Sequence, residues 1–144
     1  MQLFSHSKNI QIMALAGSLK IESKEYNILE CEYEFTQAVD HTGRPTDRTR
    51  GGLINIVIVA PDDTDLQLHE WMRDKDAVKD GTISLTVNSE NVDKPKTIQF
   101  KDAYCVRLYE YFNNNNSVQM YLKLSIMAGT VIFGDSCEFT LIDK

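Results

Sequence analysis

Leu29-Glu30-Cys31-Glu32-Tyr33-Glu34-Phe35 alternates apolar and acidic side chains without a break. In an extended chain successive side chains point to opposite faces, so Leu29, Cys31, Tyr33 and Phe35 share one face and Glu30, Glu32 and Glu34 the other. A period of two in this form predicts a strand with one buried and one solvated face. The alternation recurs at Ile83-Leu85-Val87, at Val118-Met120-Leu122-Leu124-Ile126 and at Phe139-Leu141, so several strands are expected to face a common core. Leu53 to Val59 is nearly all apolar and rich in Ile and Val, which predicts a central strand covered on both sides. Thr97 to Phe112 reads as a further long strand or bulged pair, because Ile98 and Phe100 prefer the even face and Tyr109 and Tyr111 the odd one. Such a switch of phase predicts a β-bulge.

One helix is expected, from about Thr64 to Arg73, where Leu68, Trp71 and Met72 share a stripe and Leu66 lies off it. Thr64 and Gln67 have the spacing of a capping box, and Asp62, Asp63 and Asp65 place negative charge at the positive end of the helix dipole. So short a helix is marginal alone and must be held by docking its Leu68/Trp71/Met72 face. The second face of the Leu53–Val59 strand is where it is expected to dock. Turn residues fall at Ser23-Lys24, Asp80-Gly81, Asn91 to Pro95, Asn113 to Asn116 and Gly134-Asp135. Strands joined mostly by hairpins, with a single helix, predict a mainly β fold: a two-sheet β-barrel or sandwich.

The chain has 144 residues, 42% of them hydrophobic, with 15 Lys+Arg against 21 Asp+Glu and a net charge of −6. This is the size and composition of one soluble domain with a core of its own. An acidic excess argues against nucleic acid, whose phosphates require clustered Lys and Arg, and against an anionic membrane surface. The first twenty residues hold neither a signal-peptide apolar core nor a spanning segment, the longest apolar run being Ile12 to Ala16. Cys31, Cys105 and Cys137 cannot all pair and form no zinc-binding spacing, so they are read as reduced and mostly as packing residues. A sequon at Asn115-Asn116-Ser117 is set aside, since a chain without a signal peptide does not meet the glycosylation machinery.

No catalytic, metal or cofactor site can be nominated. His6, His41 and His69 are scattered, and Asp62-Asp63-Thr64-Asp65 lacks the glycine and terminal glutamate of a calcium loop, so capping explains these carboxylates. A Walker loop, a dinucleotide glycine motif and a nucleophile elbow are all missing. Glu30, Glu32 and Glu34 read as a solvated strand face rather than as paired catalytic carboxylates.

His41 to Gly52 is the stretch that a monomer explains badly: twelve mostly polar residues with Gly43, Pro45, Gly51 and Gly52 and the arginines Arg44, Arg48 and Arg50. Links this long in a compact domain are functional or disordered. Arginine is the favoured interface cation because its planar fork grips carboxylates in two places. Two readings stand: a flexible solvated loop, or one whose Arg44, Arg48 and Arg50 reach acidic surface, such as the Glu strand face, on another copy of the chain.

Gly17-Ser18-Leu19-Lys20-Ile21 leading into Tyr26-Asn27-Ile28-Leu29-Glu30-Cys31, then Asp40-His41-Thr42-Gly43-Arg44-Pro45 and Gly51-Gly52-Leu53-Ile54, follow one another in order. After them come Asp63-Thr64, Leu68-His69-Glu70-Trp71-Met72, and Phe100-Lys101-Asp102-Ala103-Tyr104-Cys105-Val106 with Glu110 and Phe112. Together these resemble the Hcp (TssD) family, the tube protein of the type VI secretion system, in the branch with an Asp-x-x-Gly-Arg-Pro loop ending in Gly-Gly. The resemblance covers about Ala14 to the C-terminus. It divides the chain into an extension at 1–13, read as a flexible or mis-started segment, and one barrel domain at 14–144. It implies a non-enzymatic structural subunit without cofactors, in which six copies close into a ring and rings stack into a hollow tube. It also implies a contractile sheath, a VgrG spike and effector cargo as partners, and a cytoplasmic protein exported on firing without a signal peptide. A stacking and subunit-contact role carries over to Asp40, Gly43, Arg44, Pro45, Gly51 and Gly52, with Arg48 and Arg50 in the same loop. Two other readings stand beside it: the tail tube of a phage or contractile injection particle, and a monomeric β-barrel that binds a small ligand inside.

Overall fold

The computed structural model describes residues 16–89 and 92–141; the extension expected at 1–13 lies outside them. The chain runs β1 (Gly17–Ile21), β2 (Lys24–Tyr33), β3 (Leu53–Val59), α1 (Gln67–Arg73), β4 (Lys79–Ser89), β5 (Val92–Phe112), β6 (Met120–Met127), β7 (Thr130–Phe133) and β8 (Cys137–Thr140). Strands β4, β1, β2, β3, β6 and β5 pair in that order, and β4 also pairs with β5, which closes a six-stranded antiparallel barrel. Closure removes the open edges where β1, β4 and the first halves of β2 and β5 pair, while beyond Ile28 strand β2 pairs only with β3. Strands β7 and β8 are added beside β5. A mainly β barrel with one short helix is thus the architecture that the alternation predicts.

Two strands turn the corner between two sheets, and each does so with a bulge. Strand β2 pairs with β1 from Lys24 to Asn27 and with β3 from Ile28 to Tyr33, slipping register between Ile28 and Glu30. Leu29 is the inserted residue. It is 42% exposed while Ile28 takes the inward place, which corrects the uninterrupted alternation read from Leu29 to Phe35. Strand β5 pairs with β4 and β7 as far as Ala103 and with β6 from Tyr104 onward, slipping between Cys105 and Arg107. Its corner is marked by Asp102, at φ 53°, whose N–H donates to Asp80 Oδ1 at 3.0 Å. Ile98, Phe100, Ala103 and Cys105 point into the core, whereas Tyr109 and Tyr111 lie outside. The phase switch is therefore the change of sheet. Strands β4 and β5 pair through Ser89 and Val92 with Pro95 opposite Thr86, so the turn is shorter than the Asn91–Pro95 span suggests.

Strand β3 is central, between β2 and β6. Ile54, Ile56 and Ile58 are fully buried with Leu122, Leu124 and Ile126 of β6, each such side chain contributing about 1.5–3 kcal/mol by leaving water. The outward residues Asn55, Val57 and Val59 are only half-buried. The helix does not cover them, which corrects the expected two-sided burial. It packs instead on β5: His69 Nε2 lies 2.7 Å from Glu110 Oε1, and the Cys105 thiol contacts Met72 Sδ at 3.7 Å. Leu68 and Trp71 are each 1% exposed, with Trp71 Nε1 donating to the Ala77 carbonyl at 3.2 Å, while Met72 is 38% exposed at the margin.

The helix also starts later than the capping-box spacing suggests. Thr64 uses its N–H and hydroxyl on Asp62 Oδ1, and the N–H of Gln67 is met by Asp65 Oδ1 at 3.2 Å. An aspartate-centred turn therefore precedes Gln67, and the side chain of Gln67 is drawn away to Tyr26 and Glu22.

Candidate assembly surface

Between β2 and β3 the chain leaves the barrel as an arm. Thr36 and Arg50 exchange both backbone bonds, at 2.8 and 2.6 Å; Thr46 N–H donates to Ala38 O at 2.8 Å, and Val39 bridges Pro45. The long polar link is therefore a hydrogen-bonded hairpin. At its tip Asp40 O accepts from Gly43 N–H, and Gly43 has φ 87°, a conformation that suits glycine. One carboxylate oxygen of Asp40 accepts from Thr42 N–H at 2.8 Å, Thr42 Oγ1 at 2.6 Å and Arg44 N–H at 3.1 Å. The Thr42 hydroxyl, then the Arg44 and Thr42 amides, hold the Asp40 carboxyl below its ordinary pKa. Asp47 is lowered in the same way by Arg50, whose Nη2 lies 2.6 Å from Asp47 Oδ2.

The root of the arm is fixed by packing. Tyr33, Phe35, Phe133 and Phe139 make an aromatic cluster, with Phe35 stacked on Phe139 at 4.3 Å between ring centroids. Gly51 lies against Phe35 so closely that a Cβ there would come 2.6 Å from the ring. Past this root, Thr36 to Arg48 are exposed along their whole length. Fixing a residue's backbone costs about 1–2 kcal/mol; here that cost is met by local bonds with almost no burial, a form suited to meeting another surface.

The sequence-derived loop residues divide along this arm. Asp40, Gly43, Arg44 and Pro45 gather at the tip, whereas Arg50, Gly51 and Gly52 form the root, with Arg48 between. The three arginines are spread out rather than massed in one patch. Arg50 shares a shallow recess of ≈ 400 Å³ with Glu32 and Glu34.

Below the arm, the outer face of the β2–β3–β6–β5 sheet carries a second feature. The strand registers place Glu32, Asn55, Ser125 and Arg107 in one row, and Glu30, Val57, Lys123 and Tyr109 in the next. Asn55 Nδ2 donates to Glu32 Oε1 at 3.3 Å, and Ser125 Oγ donates to Asn55 Oδ1 at 2.6 Å. At the far side Arg107 and Lys123 both stand over the Tyr109 ring, at 5.9 and 5.5 Å. The sheet face is acidic along β2 and basic along β5 and β6. Sequence reasoning found the acidic half and missed the basic one, because Arg107 and Lys123 are single cations in different strands. Only the pairing register brings them together.

Burial pushes the Cys31 and Cys105 thiols up to about 11, so they stay protonated at neutral pH. Among the described residues no group of three His, Cys, Asp or Glu side chains is placed to hold a metal ion. No helix among them is long and apolar enough to cross a membrane.

The family model of hemolysin coregulated protein Hcp (TssD) matches residues 13–139. The chain belongs to the Hcp (TssD) family. Hcp1 from Flavobacterium johnsoniae is 31% identical and superposes with a TM-score of 0.73 over 86% of this chain and 98% of that one. Another Hcp crystal structure, 14% identical, has a TM-score of 0.72 over 89% and 98% of the two chains. The secreted protein Hcp3 from Pseudomonas aeruginosa, 10% identical, has a TM-score of 0.62 over 88% and 98%; these two share the fold. No match is found among curated proteins. The Hcp family is that of the type VI secretion tube protein, and the barrel described above is its fold.

Proposed function

We propose that this chain is the repeating subunit of a type VI secretion tube: six copies close into a ring, and rings stack into a hollow conduit. The observation that carries this reading is the ordered, almost fully exposed arm on an Hcp barrel. Its tip residues Asp40, Gly43, Arg44 and Pro45 are assigned to contacts with a neighbouring ring or subunit, and Gly51 and Gly52 to setting its angle. The tube carries effector proteins, bears a VgrG spike at its end and is driven by a contracting sheath. The subunit is made in the cytoplasm, leaves on firing, and performs no catalysis, with no nucleic acid, membrane or cofactor as partner. The ligand-binding barrel is disfavoured because Leu19, Ile21, Ile58, Ile83, Ile98 and Phe100, each 0% exposed, fill the interior.

Light scattering coupled to size exclusion, followed by negative-stain imaging, tests the reading. A particle near six times the chain mass with annular views is expected. A clean monomer at high protein concentration would overturn it.

A further inference from the structure

We propose that the two oppositely charged sides of the β2–β3–β6–β5 sheet, acidic along β2 and basic along β6 and β5, are the two halves of one heterologous contact: Glu30 and Glu32 of one copy meet Arg107 and Lys123 of the next. This rests on the ring reading and names the surfaces that would close it.

Three observations converge on a second copy as the occupant. First, among the described residues no ion pair joins the poles within one chain. Three inter-strand steps separate β2 from Arg107 on β5 and two separate it from Lys123 on β6, about 14 and 10 Å at ~4.8 Å each, both beyond the screening length of about 8 Å at physiological salt. Among the described residues Arg107 and Lys123 have no carboxylate partner and rest over Tyr109. Second, the residues between the poles are neutral: Asn55 and Ser125 separate Glu32 from Arg107, and Val57 separates Glu30 from Lys123. Charge is thus segregated, acidic on β2 and basic on β6 and β5. Third, beyond Ile28 strand β2 pairs only with β3, so no strand flanks its acidic margin on the other side. An unflanked margin is a natural place for another chain to arrive.

A patch that meets a different patch on its neighbour propagates head to tail and closes into a ring when the rotation allows. Two margins of opposite sign on one sheet impose that direction, because acidic against acidic and basic against basic both repel. The Arg107 fork and the Lys123 ammonium suit a pair of carboxylates, and the Tyr109 ring holds both cations up from the sheet.

The experiment uses the full chain and two variants, E30K/E32K and R107E/K123E, with assembly read by light scattering at physiological salt. All four side chains are exposed, so both variants are expected to keep the parent's circular dichroism and thermal midpoint. Each alone, with two margins of like sign, is expected to lose the ring by tenfold or more in assembled fraction. An equimolar mixture is expected to recover it, because alternating copies restore opposite charges at every contact. Either folded variant assembling like the parent, or a mixture of folded variants remaining monomeric, would overturn the assignment. A parent that is itself monomeric would instead remove the ring reading on which it rests.

Discussion

The Cα of Gly52 faces the carbonyl oxygen of Ala128, and a Cβ built on Gly52 would lie 2.6 Å from that oxygen. The two residues are also bonded, with Ala128 N–H donating to Gly52 O at 2.8 Å. Gly52 has φ 94°, so an L side chain there meets backbone strain as well as a clash. Gly52→Ala is therefore expected to destabilise the barrel by at least about 1–3 kcal/mol and to tilt the arm at its root. Gly43, with φ 87° but open space around it, isolates the backbone term. Urea denaturation of both variants checks this: Gly43→Ala should cost about 1–2 kcal/mol, and equal losses would show that the Ala128 contact is unimportant.

Trp71 anchors the helix, and its neighbours set a gradient along one face. Trp71→Ala removes a fully buried indole and its bond to Ala77 O, with an expected loss of about 3–5 kcal/mol. Leu68→Ala should cost about 2–5 kcal/mol. Met72→Ala, at a partly exposed margin, should cost less than either. Chemical denaturation ranks the three, and a Met72 loss as large as that of Trp71 would mean that the helix docks differently.

How far such features can be read in advance depends on whether they are local. The period-two runs hold at Ile83-Leu85 and at Leu122-Leu124-Ile126, whose inward faces are set by their own strands, but fail at their ends, where Val87 and Met120 are 52% and 40% exposed. The class of fold follows from them. Leu29 misleads, since a bulge is a property of two strands in register and nothing in the β2 sequence itself marks the slip at Ile28/Glu30. Thr64 and Gln67 mislead for a related reason: Asp62 competes for the Thr64 donors, and Tyr26 and Glu22 compete for Gln67. The arm was legible as an anomaly through its length, glycines and arginines. Its order was not, because the Thr36–Arg50 bonds join residues on either side of the tip. Arg107 and Lys123 were invisible as a pair until Ser125 and Tyr109 placed them on neighbouring rows.

Assembly through the arm should be electrostatic. A sixfold ring carries six times the chain's −6, so bringing rings together requires local complementarity, and salt should weaken it. Arg44→Glu with Arg48→Glu is expected to leave thermal stability within about 0.5 kcal/mol of the parent, as both side chains are exposed, while reducing ring or tube formation. Sedimentation across a salt series reads both effects. Assembly insensitive to salt and to the double substitution would remove the arm's arginines from the mechanism.

Acid should loosen the arm before the barrel. The Asp40 carboxyl is held below its ordinary value of 3.8 by the Thr42 and Arg44 donors. A carboxylate with a depressed folded pKa contributes its stabilisation in full above the unfolded value and loses it as pH falls through the folded one. Asp47 behaves alike through Arg50, so both ties of the arm weaken below pH 3.8, whereas the buried side chains of the barrel core are almost all apolar. In an acid titration followed by NMR, the Thr42 and Arg44 amide resonances are expected to move together at a midpoint below 3.8, while the amides of Ile56 and Leu124 hold their positions. Asp40→Asn removes the titrating charge and should abolish that midpoint at Thr42. A Thr42 amide that titrates unchanged in Asp40→Asn would place the responsible carboxylate elsewhere.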